Sequence, residues 1–176
     1  MRLPPVDVFR EPLVEPLGHL VLQASYLDHA LYSFVAMMLP FGPETSIEQV
    51  AHRLRNWEVE FIDQAIDEAI PDAALVDDLH DYMRRVGKAR DDRHRMIHDA
   101  MELGLDRTPV RGLHAIVLRE GYQRATKLHS VRKLVRVDAN DVAALAFLLY
   151  DLRVEIDTFV GRWRELGGPP SESIFD

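Results

Sequence analysis

The sequence predicts an all-α protein, an antiparallel four-helix bundle with a small β-hairpin inserted before the last helix. Three observations predict it. Apolar residues return every three or four positions along four long stretches. Between the third and fourth stretches, in residues 105–137, that rhythm breaks and turns partly alternating. Breaker clusters, "PFGP", "PD" and "GGPP", separate or end the helical stretches.

The elements follow in chain order. Four prolines in the first sixteen residues predict an extended lead-in over 1–16. The first helix reads from about Leu17 to Leu39, on Leu17, Leu20, Val21, Ala24, Leu27, Leu31, Val35 and Met38. In "TSIEQ", Thr45 or Ser46 is placed to cap a second helix, with Glu48 or Gln49 closing a capping box. That helix reads unbroken to about Ile70. The third runs from about Ala73 to Leu103 on Leu75, Val76, Leu79, Met83, Val86, Ile97 and Met101, with Gly104 as its stop. "RGLHAIVLRE", a "GY" turn and "QRATKLHSVRKLVRV" give the hairpin. Asp138 then caps the last helix, with Asp141 three residues on, and the helix runs to about Leu166. Its opening, "VAALAFLLY", is apolar nearly all round, which marks deep core or a subunit interface. The helical domain takes 17–166 and a tail takes 167–176.

Composition narrows the function. With no cysteine there is neither a disulfide framework nor a thiolate metal site. The first residues hold no apolar stretch of signal-peptide length and no segment has membrane-helix character, so a soluble, cytoplasmic protein is expected. A net charge of −8 argues against a bulk nucleic-acid coat protein. The charge is uneven, however. Residues 84–95 carry six basic residues against two acids, and 119–136 six against one, within an otherwise acidic chain. Such segments are either solvated faces or a local anion-binding surface.

The stretch "ARDDRHRMIHD", residues 89–99, is the anomaly. A helix turns about 100° per residue, so the apolar stripe of the third helix can be tracked through it. Arg90 and Arg93 fall inside that stripe, and His94 and His98 on its rim beside Asp91. The same tracking puts Asp28 in the stripe of helix one and Glu58 in that of helix two. Buried charges come paired, so the two acids are expected to face the two arginines across the bundle. The plain alternative is an internal ion-pair network with no further role.

Arg93, four intervening residues and His98, late in a bundle helix, resemble the signature of the HEPN superfamily (higher eukaryotes and prokaryotes nucleotide-binding domains). There the residue after the arginine is often asparagine, aspartate or histidine, and here it is His94. The bundle layout, the internal acid of helix one and the hairpin before the last helix also look HEPN-like. The resemblance implies a metal-independent endoribonuclease, a hydrolase of toxin or defence type, with Arg93, His98 and His94 catalytic and Arg90, Asp28, Glu58 and Asp91 supporting. It implies no cofactor, a homodimer that lines one cleft with two motifs, RNA as substrate and a cognate antitoxin protein as partner. The chemistry suits the residues. Histidine transfers protons near neutrality, and arginine offers a bidentate fork to phosphate.

Two rival classes stand beside it. Asp91, His94 and His98 lie at i, i+3 and i+7 and are ligand types for zinc or iron, but two neighbouring arginines would repel a dication. The only other acid-x-x-His pair, Asp77 and His80, lies on the same helix. The second rival is a catalytically inactive helical interaction or scaffold protein. No Gly-rich phosphate loop or nucleophile elbow supports other common enzyme classes.

Overall fold

A computed structural model describes residues 11–39, 47–103, 115–120 and 133–168. Five helices dominate them: α1 (Glu11–Met38), α2 (Ile47–Arg55), α3 (Val59–Ala69), α4 (Ala73–Leu103) and α5 (Ala139–Glu165). Two six-residue strands, β1 (Ala115–Glu120) and β2 (Lys133–Asp138), pair antiparallel, with Ala115 opposite Asp138 and Glu120 opposite Lys133. Their link, residues 121–132, lies outside the described residues, and so does the hairpin turn expected at "GY". The caps expected at Thr45 or Ser46, the "PFGP" stop and the Gly104 stop fall outside them too.

The described chain divides into two compact units. One takes residues within 1–24 and 89–148, the other residues within 25–88 and 149–176. In the second unit α4 and α5 run antiparallel. Asp78 pairs with Arg162 (2.7 Å) and Arg85 forks onto Glu155 (2.6 and 2.9 Å), at opposite ends of the contact. The buried Tyr82 hydroxyl donates to the Leu152 carbonyl (2.8 Å), and its ring tilts against Phe159 at 5.1 Å. The edge of Trp163 meets Phe34 of α1 at 6.3 Å. Leu27, Leu31, Phe34, Leu54, Ile66, Leu75 and Leu79 complete a fully buried core. Each such side chain contributes roughly 1.5–3 kcal/mol relative to exposure.

Helix α4 occupies the range its periodicity predicts, opened by Asp72, whose Oδ1 accepts from the Leu75 N–H (2.7 Å). Helix α5 opens with a reciprocal acidic box. Asp138 Oδ1 accepts from the N–H groups of Asn140 and Asp141, and Asp141 Oδ2 accepts from the Asp138 N–H. Helix α1 starts at Glu11, so it consumes part of the expected lead-in and carries Pro16 inside it. Pro16 stands past the first turn, where it gives up the backbone bond to the residue-12 carbonyl and its ring crowds that carbonyl.

The second predicted helix is two helices. Helix α2 closes in a Schellman motif, in which Trp57 N–H donates to the Leu54 carbonyl (3.0 Å) and Glu58 N–H to the Arg53 carbonyl (3.1 Å). The left-handed position of that motif is filled by Trp57, at φ 53°. Helix α5 ends in the same motif, with Gly168 bonded to Trp163 and Gly167 at φ 90° in the corresponding position. A left-handed residue other than glycine costs about 1–2 kcal/mol. Trp57 is held there by packing. Its indole lies on the bare backbone of Gly87, where a Cβ would stand 2.7 Å from Nε1.

The break also moves Glu58. Helical tracking through residues 56–58 loses its phase, so the residue expected in a core stripe is instead the exposed N-cap of α3 and pairs with Arg53 at 3.8 Å. No charged or polar residue is fully buried among the described residues. Of the expected interior charges, Asp28, Arg90 and Arg93 stop at half-burial.

Candidate functional site

The anomalous segment lies on one uninterrupted helix. Along α4 the buried stripe runs through Leu75, Leu79, Tyr82, Met83, Val86 and Ala89. Beyond Ala89 it changes character, and every side chain from Asp92 to Ile97 is half-buried. Arg90, Arg93 and His94 share that state, and none of them is without a partner. Half-burial suits arginine, whose methylene stem can cover apolar surface while the guanidinium reaches its partners. Asp91 is exposed. His98 continues the same helix, but its side chain lies outside the described residues.

Asp28, half-buried between Leu27 and Leu31 on α1, is likewise not without a partner. Asp28 and Glu58 belong to the second unit, and Arg90 and Arg93 to the first. The ion pair of Glu58 is made locally, with Arg53, whose guanidinium also lies 4.6 Å from the Phe61 ring centre. Among the described residues no three His, Asp or Glu side chains form a group that could hold a metal ion. The Asp91, His94, His98 set lies partly outside that description.

The first two cations of the first basic segment are ion-paired. Arg84 bonds Asp81, and Arg85 bonds both Asp81 (3.3 Å) and Glu155. The hydrogen bond from Arg84, with help from Arg85, holds the Asp81 carboxyl below its ordinary range. The Glu155 carboxylate raises the Arg85 guanidinium. This part of the charge run is a solvated, ion-paired face, as such runs usually are.

A second cluster, which sequence reasoning passed over, lies between α3 and α4. His80 Nε2 stands 3.3 Å from Asp67 Oδ1 and 3.9 Å from Asp63 Oδ1. Asp63 and Asp67 are one helical turn apart, so both reach the same partner. Beside them opens a cleft of about 400 Å³, lined by residues of α3, α4 and the Trp57 turn. Its signal in the sequence was Gly87, an isolated glycine inside a strong helical pattern, which often marks a close approach.

No protein-family model, curated protein or solved structure matches this chain. No helix among the described residues is long and apolar enough to cross a membrane.

Proposed function

We propose that the protein is a HEPN-like, metal-independent endoribonuclease whose Arg93 and His98 act on an RNA phosphodiester in the cleft of a homodimer. One observation carries the reading. The helix that bears the Arg93-x4-His98 motif holds Arg90, Arg93 and His94 half-buried, in place of the apolar side chains its periodicity calls for. Half-buried cations at a rim are placed for an anionic ligand in a way that fully solvated ones are not.

The reaction needs no cofactor. A histidine takes the proton of the ribose 2′-OH as that oxygen attacks phosphorus. Arg93, supported by Arg90, neutralises the phosphorane oxygens. A second histidine protonates the departing 5′-oxygen, which leaves a 2′,3′-cyclic phosphate and a 5′-OH end. His94 or the His98 of a second copy supplies that second group. Asp91 serves as a supporting acid. Glu58, committed to Arg53, is the weakest of the supporting set.

The test is cleavage of varied RNAs by wild type and His98→Ala in EDTA. One general acid or base is worth about a hundred- to ten-thousand-fold. The variant should therefore lose cleavage by about that factor while its melting stays within about 0.5 kcal/mol of wild type. Loss of wild-type cleavage in EDTA, restored by zinc or iron, would replace this reading with a metal site at Asp91, His94 and His98.

A second reading is favoured by α5. Phe147 is 70 % exposed, and Leu148, Tyr150 and Val154 are also exposed. An outward apolar helix face suits a catalytically inactive interaction protein, such as the partner of a cognate antitoxin. Wild type and His98→Ala equally inert on every RNA would favour it.

A further inference from the structure

The second basic segment, 119–136, has no part in the reaction assigned to Arg93 and His98. Its strands nevertheless belong to the same compact unit as those two residues, the unit that takes residues within 1–24 and 89–148. We propose that the β1–β2 ribbon is the phosphate-gripping arm of that unit, with Arg119 and Arg136 placed to hold the backbone of a single RNA strand. The inference rests on the ribonuclease reading in one point, that the ligand is RNA.

The register of the ribbon carries it. Successive residues of a strand alternate between the two faces, so the ladder from Ala115 opposite Asp138 to Glu120 opposite Lys133 sorts them. Ile116, Leu118, Val135 and Val137 fall on one face. Glu120 and Lys133 fall on that face too, opposite each other at the end of the ladder. Arg119 and Arg136 fall on the other face, opposite Leu134 and Val117. They are diagonal neighbours, a relation that sets residues about 7–8 Å apart. No acid stands opposite either arginine. Asp138, the one acid on their face, is committed to α5, where its Oδ1 accepts from the N–H groups of Asn140 and Asp141. A lone two-stranded ribbon is marginal in water, so its aliphatic face calls for cover. The face that carries the arginines does not.

Charge and composition select the ligand. The chain is acidic overall, at −8, so a polyanion is attracted only where cations gather locally. The first basic segment gives Arg84 and Arg85 to acids. The second holds six cations against one acid, and that acid, Glu120, stands opposite Lys133. The planar fork of arginine matches phosphate oxygens. Neither strand contains an aromatic residue, so bases find no stacking platform there. The grip is therefore on the backbone, indifferent to base sequence and steep in salt. Strand β2 also passes into α5 without a loop, since Asp138 ends the strand and caps the helix. Arg136, two residues earlier, is thus carried on a rigid base.

The test uses the full chain carrying His98→Ala, so that the RNA stays intact. Anisotropy of a short labelled single-stranded RNA is followed over a series of salt concentrations. Each single-strand phosphate contact contributes about 0.7 to the slope of log affinity against log salt. Adding Arg119→Gln/Arg136→Gln should therefore make the slope shallower by about 1.4 and weaken binding about tenfold at low salt, equally for RNAs of different sequence. Arg119→Lys/Arg136→Lys keeps the charge and should restore most of the slope. Arg53→Gln/Arg162→Gln removes the same charge from the second unit and should change affinity by less than about twofold. Circular dichroism and melting check that each double variant folds. An unchanged slope in the ribbon variant would overturn the proposal, as would an equal loss in the Arg53/Arg162 control. So would absence of RNA binding by the His98→Ala chain, or displacement of the RNA by polyglutamate at equal charge, which would point to an acidic protein partner. The two readings fail separately. Ribbon-dependent binding beside a wild type that cleaves nothing keeps the arm and ends the ribonuclease. Cleavage by wild type beside ribbon-independent binding does the reverse.

Discussion

Trp57 and Gly87 form a pair whose energetics can be separated. Gly87→Ala raises helix propensity by about 1 kcal/mol, yet the new methyl must push the indole aside, and overpacking of that kind costs about 1–3 kcal/mol. The expected result is net destabilisation, read as a lower urea midpoint with an unchanged slope. In a Trp57→Gly background the obstruction is gone. There Gly87→Ala should stabilise by up to about 1 kcal/mol, a reversal of sign that only direct contact between the two residues produces. Additive effects in the double variant would show that the indole does not rest on Gly87. Arg93 allows a parallel separation of stability from function. Exchanged for methionine, together with neutralisation of any acid it pairs with, it should leave the melting temperature near wild type, because buried or half-buried charge can be replaced by apolar volume at little cost. Cleavage should nevertheless fall if the guanidinium serves phosphate, and unchanged cleavage would reduce Arg93 to a structural role.

At the scale of the helices, what was legible in the sequence depended on whether the signal was local. Helix α4 could be read because its cap at Asp72 and its stripe from Leu75 onward lie within one continuous period. The start of α5 could be read because Asp138 and Asp141 are three residues apart and cap each other. The division between α2 and α3 could not, because a tryptophan fills the position where glycine or asparagine normally announces a stop. Glu58 was misplaced for the same reason, since the phase of one helix does not carry into the next. Capping predicts that Asp138→Ala and Asp141→Ala each cost about 1 kcal/mol, and that the double variant costs less than their sum, because the two carboxylates complete one box. Strict additivity in thermal melts would refute the reciprocal arrangement. The α4 to α5 contact gives a prediction in pH. Burial, with the neighbouring Glu155 carboxylate, pushes the Tyr82 phenol well above its ordinary value of 10.0. Above that pH the unfolded chain releases the proton while the folded chain retains it, so stability falls as pH rises. Tyr82→Phe should lose the Leu152 hydrogen bond, at about 1 kcal/mol near neutrality, and should show a flatter stability profile above about pH 10. An unchanged alkaline slope would mean that other groups set it.

Across the whole molecule, the candidate site was legible as a motif and illegible as a place. The spacing of Arg93 and His98 and the misfit of Arg90 and Arg93 with an apolar stripe are properties of one helix, open to a periodicity argument. The cleft joins Trp57, Asp63 and His80 from three segments, and no single window of sequence contains it. The "VAALAFLLY" segment was read as core or interface, and its side chains divide between the two. Val142, Leu145, Ala146 and Leu149 are buried, while Phe147, Leu148 and Tyr150 are exposed. With Val154, three of the four exposed residues stand three and seven positions apart, on one side of α5. That stripe is the surface on which the proposed homodimer would close. Four partly exposed side chains can bury on the order of 400 Å² per copy, about half of what a standard interface uses. The dimer should therefore be weak, so sedimentation should show a weight-average mass that rises through the micromolar range instead of a fixed dimer. Phe147→Glu places a charge on the most exposed residue of the stripe and should hold the protein at monomer mass while helicity and melting are preserved. If cleavage requires two copies of the motif in one cleft, its specific rate should climb with protein concentration in wild type and stay flat and low in Phe147→Glu. A wild type that remains monomeric and cleaves at a concentration-independent specific rate would assign both proton transfers to one chain, with His94 acting beside His98.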